Sequence, residues 1–246
     1  MPRQDRIDLI LVRRGLVPSR EQAKRLIMAG EVFVAQRKIT QPGWLVPMDS
    51  EILVRQPQKF VGRGGLKLEG ALESFGINVT GLTAMDIGAS TGGFTDCLLQ
   101  RGAAKVFAFD VGTNQLAWKI RSDPRVVSRE KFNVRHMRRE DVGEEVDLIV
   151  ADVSFISLTL VLPPAFEVLR PGGQAVVLVK PQFELSPEEV GKGGIVREPE
   201  LHAKACAKIE TFIRANPALE WLGLIESSIQ GTEGNREFLA HFRRVG

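Results

Sequence analysis

Apolar positions are spaced in two different ways along this chain. Up to about residue 54 the runs are short. Ile7, Ile10, Leu11 and Val12 recur at near-helical spacing between Asp5 and Gly15, and the glycine supplies a stop, so a first helix is predicted there. A second helix follows at once, with Ser19 and Gln22 as a capping pair, Ala23, Leu26, Ile27 and Met28 as its apolar face, and Gly30 as its end. Residues 32–34, Ile39 and residues 51–54 read as short strands, with a polar turn at Gln36, Arg37 and Lys38. Between Arg55 and Gly65 all periodicity lapses, which predicts an interdomain linker. A helix striped by Leu66, Leu68, Ala71, Leu72 and Phe75 then places Lys67 in its first turn, away from the main packing face.

From there strand and helix patterns alternate. Predicted strands lie at 84–87, 105–109, 146–151 and 175–179, with two weaker apolar pieces at 126–127 and 131–134. Helices are predicted at 116–120, at 158–169 with Pro171, Gly172 and Gly173 as the stop, and at 200–215, before apolar runs at 219–225 and 237–243. Residues 191–196 form a glycine-rich loop that is expected to be mobile. This alternation predicts an α/β protein built on a doubly wound, mostly parallel sheet.

Length fits one large α/β domain and a small appendage in 246 residues. No apolar run is long enough for a bilayer and the N-terminus is polar, so a cytoplasmic protein is expected, with no membrane partner. Cys97, Cys206, His136, His202 and His241 are scattered without metal-ligand or triad spacing, so neither a metal nor a disulfide is expected. Charge is uneven. Through Lys67 there are thirteen Lys and Arg against six Asp and Glu, while the remainder is slightly acidic, as if a basic module delivers a phosphate-rich partner to a more neutral body.

The chemistry begins where the strand at 84–87 runs into Asp86-Ile-Gly-Ala-Ser-Thr-Gly-Gly-Phe94. Gly88, Gly92 and Gly93 let backbone approach a ligand closely, and Asp86 precedes them. The spacing is not that of a dinucleotide-binding turn, which grips a pyrophosphate. An acid beside the turn suits the cationic end of S-adenosylmethionine, and Asp110, at the end of the next strand, is placed for the ribose hydroxyls. Ligands in open parallel sheets bind beyond the carboxyl ends of the strands, where Asp152 and Lys180 also fall. An antiparallel last strand adds Glu237, and Lys67 reaches the same edge. Such a Lys-Asp-Lys-Glu cluster suits methyl transfer to a ribose 2′-hydroxyl: Lys180, crowded by Lys67, is the expected base, Lys67 holds phosphate or ribose, and Asp152 and Glu237 orient the pair. No metal is needed.

Residues 19–34 and 49–54 resemble the αL-type RNA-binding module of ribosomal proteins. The runs Gly62–Leu68, Asp86–Phe94, Ala151–Ser157, Val179–Glu184 and Gly191–Val196 resemble the TlyA family of ribosomal RNA cytidine 2′-O-methyltransferases, often labelled haemolysin A and similar to FtsJ in the catalytic domain. The resemblance implies a mostly parallel seven-stranded Rossmann-like methyltransferase domain at 66–246, a linker at 59–65 and an α+β RNA-binding domain at 1–58. It implies Lys67, Asp152, Lys180 and Glu237 as the catalytic tetrad, and Asp86, Gly88, Ser90, Gly92, Gly93 and Asp110 as cofactor contacts, with Glu130 and Asn133 near the adenine. Arg20, Lys24, Arg25, Arg37, Lys38 and Arg63 are the implied RNA contacts, with ribosomal RNA or a ribosomal subunit as partner. Gly62 is a departure, since members usually carry serine there. Short chain ends resemble the members that act on large-subunit RNA only, so the large subunit is the expected target.

Three other readings compete with this one. Asp152-Val-Ser-Phe155 has the outline of a base-methylating loop but lacks its two prolines. A membrane-active haemolysin lacks a spanning helix, alternating barrel strands and an amphipathic cationic helix. An RNA-binding factor with a vestigial pocket would not need an intact tetrad.

Overall fold

A computed structural model describes residues 3–55, 58–191, 193–231 and 233–246. The chain divides into two compact units, Met1–Gln58 and Lys59–Gly246.

The first unit contains β1 (Gln4–Arg6), α1 (Ile7–Arg13), α2 (Arg20–Met28), β2 (Val32–Val34), β3 (Arg37–Ile39), β4 (Leu45–Pro47) and β5 (Ile52–Val54). Ser19 Oγ accepts from the Gln22 N–H at 3.2 Å and so caps α2 as its spacing predicts. Ile7, Ile10, Leu11, Ala23, Ile27 and Val32 close a small core under the sheet β3-β2-β5. Two features differ from the sequence expectation. The hairpin turn is made by Ala35 and Gln36, both at positive φ, and Arg37 and Lys38 belong to β3. Asp5 lies not in α1 but in β1, which pairs with β4; strands of three residues carry too little alternation to be seen.

The second unit contains α3 (Gly64–Ser74), β6 (Thr83–Ile87), α4 (Gly93–Gln100), β7 (Lys105–Phe109), α5 (Trp118–Arg121), β8 (Val126–Arg129), α6 (Arg139–Val142), β9 (Val146–Ala151), α7 (Leu158–Phe166), β10 (Leu169–Val179), α8 (Pro181–Glu184), α9 (Pro199–Arg214), β11 (Leu219–Glu226) and β12 (Phe238–Arg244). Its seven strands run in the order β11-β12-β10-β9-β6-β7-β8. β6 to β10 are parallel, and β12 is antiparallel to both of its neighbours. Alternate residues feed cores on both faces: Met85, Ile87, Ile149 and Val177 on one, Ala84, Leu148, Val150 and Leu178 on the other.

Residues 59–65 are not a free linker. Phe60 is buried in the second unit's core, and a Cβ at Gly65 would fall 2.3 Å from its ring. Asp96 accepts from the Val61 N–H at 2.9 Å, while Gln100 Nε2 donates to the Lys59 carbonyl at 2.9 Å. One buried aromatic among glycines and cations has no period to give it away. A Cβ at Gly62 would lie 2.5 Å from Thr91 Oγ1, so glycine lets this strap lie flat on the glycine turn after β6. The α3 stripe is also rotated from the expectation, with Leu66 half-exposed and Lys67 buried. Finally, α7 ends at Phe166, and Pro171, Gly172 and Gly173 do not stop it but form a bulge inside β10 between Leu169 and Gln174.

Candidate active site

Strand β6 delivers Asp86 into the middle of the sheet with no exposure to solvent. Thr95 Oγ1 donates to Asp86 Oδ2 at 2.6 Å, whereas Oδ1 is buried without a partner among the described residues. Burial, seconded by the Asp152 and Asp110 carboxylates and opposed by Thr95, pushes the Asp86 carboxyl up to about 7. The turn that follows needs its glycines. Gly88 and Gly92 have φ of +82° and +95°, and a Cβ at Gly88 would lie 2.4 Å from the Asp152 carbonyl oxygen. The Gly93 Cβ position faces the Gly62 carbonyl at 3.1 Å.

At the end of β7, Asp110 braces the same turn. Its Oδ2 accepts from the Ser90 N–H at 2.8 Å and its Oδ1 from the Gly112 N–H at 2.6 Å. A cleft of about 310 Å³ opens beside it, walled by Phe109, Asp110, Phe132, Asn133, Val153 and Ile156. Asn133 lines this cleft, whereas the Glu130 carboxylate accepts from the Gln115 N–H and pairs with Arg121 at 2.9 Å. The Asn114 and Gln115 amides and Arg121 hold it below the usual range, so it braces the wall of the cleft from outside.

The four tetrad positions come together. A second cleft, of about 410 Å³, is lined by Gly88 and Ser90 together with Lys67, Asp152, Lys180 and Glu237. Lys67 Nζ lies 2.5 Å from Glu237 Oε2, and Lys180 Nζ lies 2.6 Å from Asp152 Oδ1 and 2.9 Å from Ser154 Oγ. Each lysine is thus held by one carboxylate, Lys67 by Glu237 and Lys180 by Asp152, and both line the one cleft. All four residues are mostly shielded from solvent, Glu237 most of all. Both this cleft and the first include Asp152 and Ser154.

A third cleft, of about 430 Å³, shares Ser154, Lys180 and Glu237 and extends to Phe155, Gln182, Phe183 and Glu233. Of these, sequence reasoning touched only Phe155, through the base-methylating outline, and passed over Gln182, Phe183 and Glu233 as ligand contacts. Phe155 is 90% exposed at φ +63°, a costly backbone state for an aromatic residue, and its ring centroid is 5.1 Å from that of Phe183. The Gln182 side-chain oxygen is buried without a partner among the described residues. Residues 191–196, expected to be loose, are anchored where described, since Asn235 accepts from the Val196 N–H and donates to the Gly194 carbonyl.

The cationic candidates are placed unequally. Lys24 and Arg25 are exposed on α2. Arg20, by contrast, shares the buried Asp8 with Arg6, at 2.9 and 3.0 Å. These bonds outweigh the burial that would raise the Asp8 carboxyl and hold it below the usual range. Arg37 lies over the Trp44 ring at 4.8 Å, and the Lys38 ammonium crowds Gly30 at the C-terminal end of α2. Arg63 donates to the Gln230 carbonyl at 2.9 Å beside the second cleft. Among the described residues no cluster of three or more His, Cys, Asp or Glu could hold a metal, and no helix is long and apolar enough to cross a membrane.

Known proteins show the same two-part arrangement. Residues 60–244 match the FtsJ-like methyltransferase family and residues 5–52 match the S4 domain. The 16S/23S rRNA (cytidine-2′-O)-methyltransferase TlyA of Mycobacterium tuberculosis is 44% identical over 99% of this chain and 91% of its own length. A solved structure of a Streptococcus thermophilus protein described as a hemolysin is 44% identical, covering 100% of this chain and 90% of that one, with a TM-score of 0.74. An S-adenosylmethionine dependent methyltransferase from Mesorhizobium loti shares the fold alone, at 16% identity and a TM-score of 0.53 over 74% of this chain and all of its own. The chain thus belongs to the FtsJ-like methyltransferase family, in its TlyA branch with an S4 domain ahead of the catalytic unit.

Proposed function

We propose that this protein transfers a methyl group from S-adenosylmethionine to a ribose 2′-hydroxyl of a cytidine in ribosomal RNA. The observation that carries the reading is the pair of shielded Lys–carboxylate contacts, 2.5 and 2.6 Å long, at the junction of the three clefts. The M. tuberculosis relative, named for that reaction on 16S and 23S RNA, supports it.

The residues present fit the cofactor. Asp86 has an unpartnered carboxylate oxygen for a cationic group, the glycine turn leaves a cradle that a Cβ would fill, and Asp110 and Asn133 line a cleft with apolar walls. When bound, S-adenosylmethionine supplies an electrophilic methyl group on a positively charged sulfur. The rest is done by side chains. Lys180 accepts the hydroxyl proton as the oxygen becomes a nucleophile, so its amine must first shed its own proton to solvent; Asp152 and Ser154 hold it in place for this. Lys67, fixed by Glu237, offers an ammonium to a ribose or phosphate oxygen. Positioning does the remaining work. The third cleft is compatible with cytidine, because its aromatic pair suits a base and the Gln182 oxygen and Glu233 carboxylate are acceptors for an exocyclic amine, which uridine lacks; the choice of cytidine among the amino bases rests on the relative.

Nuclease digestion and mass spectrometry of both ribosomal RNAs, from cells with and without the protein, test this. The expected product is 2′-O-methylcytidine, lost in the Lys180→Ala variant with a 10²- to 10⁴-fold fall in transfer rate. A methylated base with an unmodified sugar rejects the ribose assignment. Parental rates from Lys180→Ala remove Lys180 as the base.

A further inference from the structure

The loops that carry the Lys180–Asp152 pair follow neighbouring parallel strands, β10 and β9, and are tied together by a carboxylate outside the reaction cleft. Glu184, at the end of α8, is buried, its side chain only 1% exposed. It accepts from Ser157 Oγ at 2.5 Å and from the Leu158 N–H at 2.8 Å, both at the start of α7. From α9, Lys208 Nζ reaches the same carboxylate at 3.0 Å and the Glu184 carbonyl at 2.7 Å. Three helices thus converge on one buried anion, whose charge is met by a lysine and by the N-terminal amides of the nine-residue α7.

The tie has work to do because the loop from Asp152 to Ser157 is strained. Phe155 sits in the left-handed region, and such a conformation persists only where its surroundings over-determine it. The two ends of that loop are fixed differently: Asp152 by a backbone bond to the Ile87 carbonyl at 2.9 Å, Ser157 by Glu184. Lys180 lies four residues before Glu184 and, in the other direction, bonds Asp152 and Ser154 within the strained loop. A slack far end would let that loop relax and carry Ser154 and Asp152 away from the lysine.

We propose that Glu184 is a positioning residue: it rivets the loop after β9 to the segment after β10 and so sets the distance between the Lys180 amine and its Asp152 and Ser154 partners. This role rests on the ribose-methylation reading above. It also separates Glu184 from an ordinary core carboxylate, since its loss changes the rate of the chemical step more than the amount of folded protein.

The test uses the full chain, S-adenosylmethionine carrying a labelled methyl group, and ribosomal RNA or subunits from cells lacking the protein. Glu184→Gln keeps the shape and one acceptor but loses the charge; Ser157→Ala removes one bond and leaves the carboxylate. The expected result for Glu184→Gln is a 10- to 100-fold lower kcat, with RNA KM and cofactor Kd within two-fold of parental values. Ser157→Ala lowers kcat by less, and a Glu184→Asp variant recovers part of the rate. A parental kcat in folded Glu184→Gln overturns the proposal. So does a loss in which kcat and cofactor-binding capacity fall together with the folded fraction. If the parental protein itself transfers no methyl group, the functional reading fails and takes this role with it.

Discussion

Asp86 shows what burial does to a single carboxyl group. Its carboxyl sits at about 7 in the folded chain against 3.8 for an unperturbed aspartate, chiefly because burial penalises the anion. The neutral form is therefore favoured by folding, and the stability it contributes is complete below about pH 4 and lost as pH rises through about 7. Denaturant unfolding of the cofactor-free protein across that window should show a flatter fall for Asp86→Asn than for the parent. A cationic ligand reverses the preference, so cofactor binding near pH 6.5 should expel a proton. Titration calorimetry in two buffers of different ionisation heat measures this, and identical heats would contradict it. Lys67 carries another lesson. Read from the stripe of α3 it lies off the main packing face, within reach of the cleft; it is in fact buried there against Glu237, 170 residues away, while Leu66 is half-exposed.

At the scale of elements, the cofactor turn and the strap at 59–65 act as one piece. Gly88 is locked by its positive φ and by the Asp152 carbonyl at its Cβ position. Gly88→Ala should lower cofactor affinity at least ten-fold and stability by about 1–3 kcal/mol, as read by calorimetry and thermal melting. Gly62 lies against the turn from outside, so Gly62→Ser should cost far less, because only the Thr91 hydroxyl has to rotate. The turn could be read in the sequence because glycine spacing is a local property. The strap could not, since Phe60 is core only by virtue of what covers it. The same reasoning explains the bulge in β10: Pro171, Gly172 and Gly173 look like a helix stop locally, whereas pairing with β9 and β12 on either side keeps the strand going.

On the scale of the whole molecule, the first unit has its own core and exposed cations, and the second holds the three clefts around Ser154. Replacing Lys24, Arg25 and Arg37 together by Ala should weaken RNA binding at all sequences alike. It should also reduce the slope of log K against log salt by roughly 0.7–0.9 for each phosphate that is no longer neutralised. Cofactor affinity should stay at the parental value, and an unchanged salt slope would falsify the assignment of these side chains to phosphate. Arg20 also pairs with the buried Asp8, so its replacement should lower the melting temperature of the first unit as well.

What the sequence determined by itself was everything set by short-range physics: the strand-helix alternation, the capped α2, the left-handed glycines after Asp86, and the carboxyl-end positions of Asp110, Asp152 and Lys180. Tertiary structure alone decided which charges pair, that Phe155 and Gln182 line a cleft with Lys180, and that Glu184 is buried against Ser157 and Lys208. These outcomes depend on burial and on partners tens to hundreds of residues distant. Such pairings leave no period in the chain, because their energy arises only when water is excluded from groups that folding brings together.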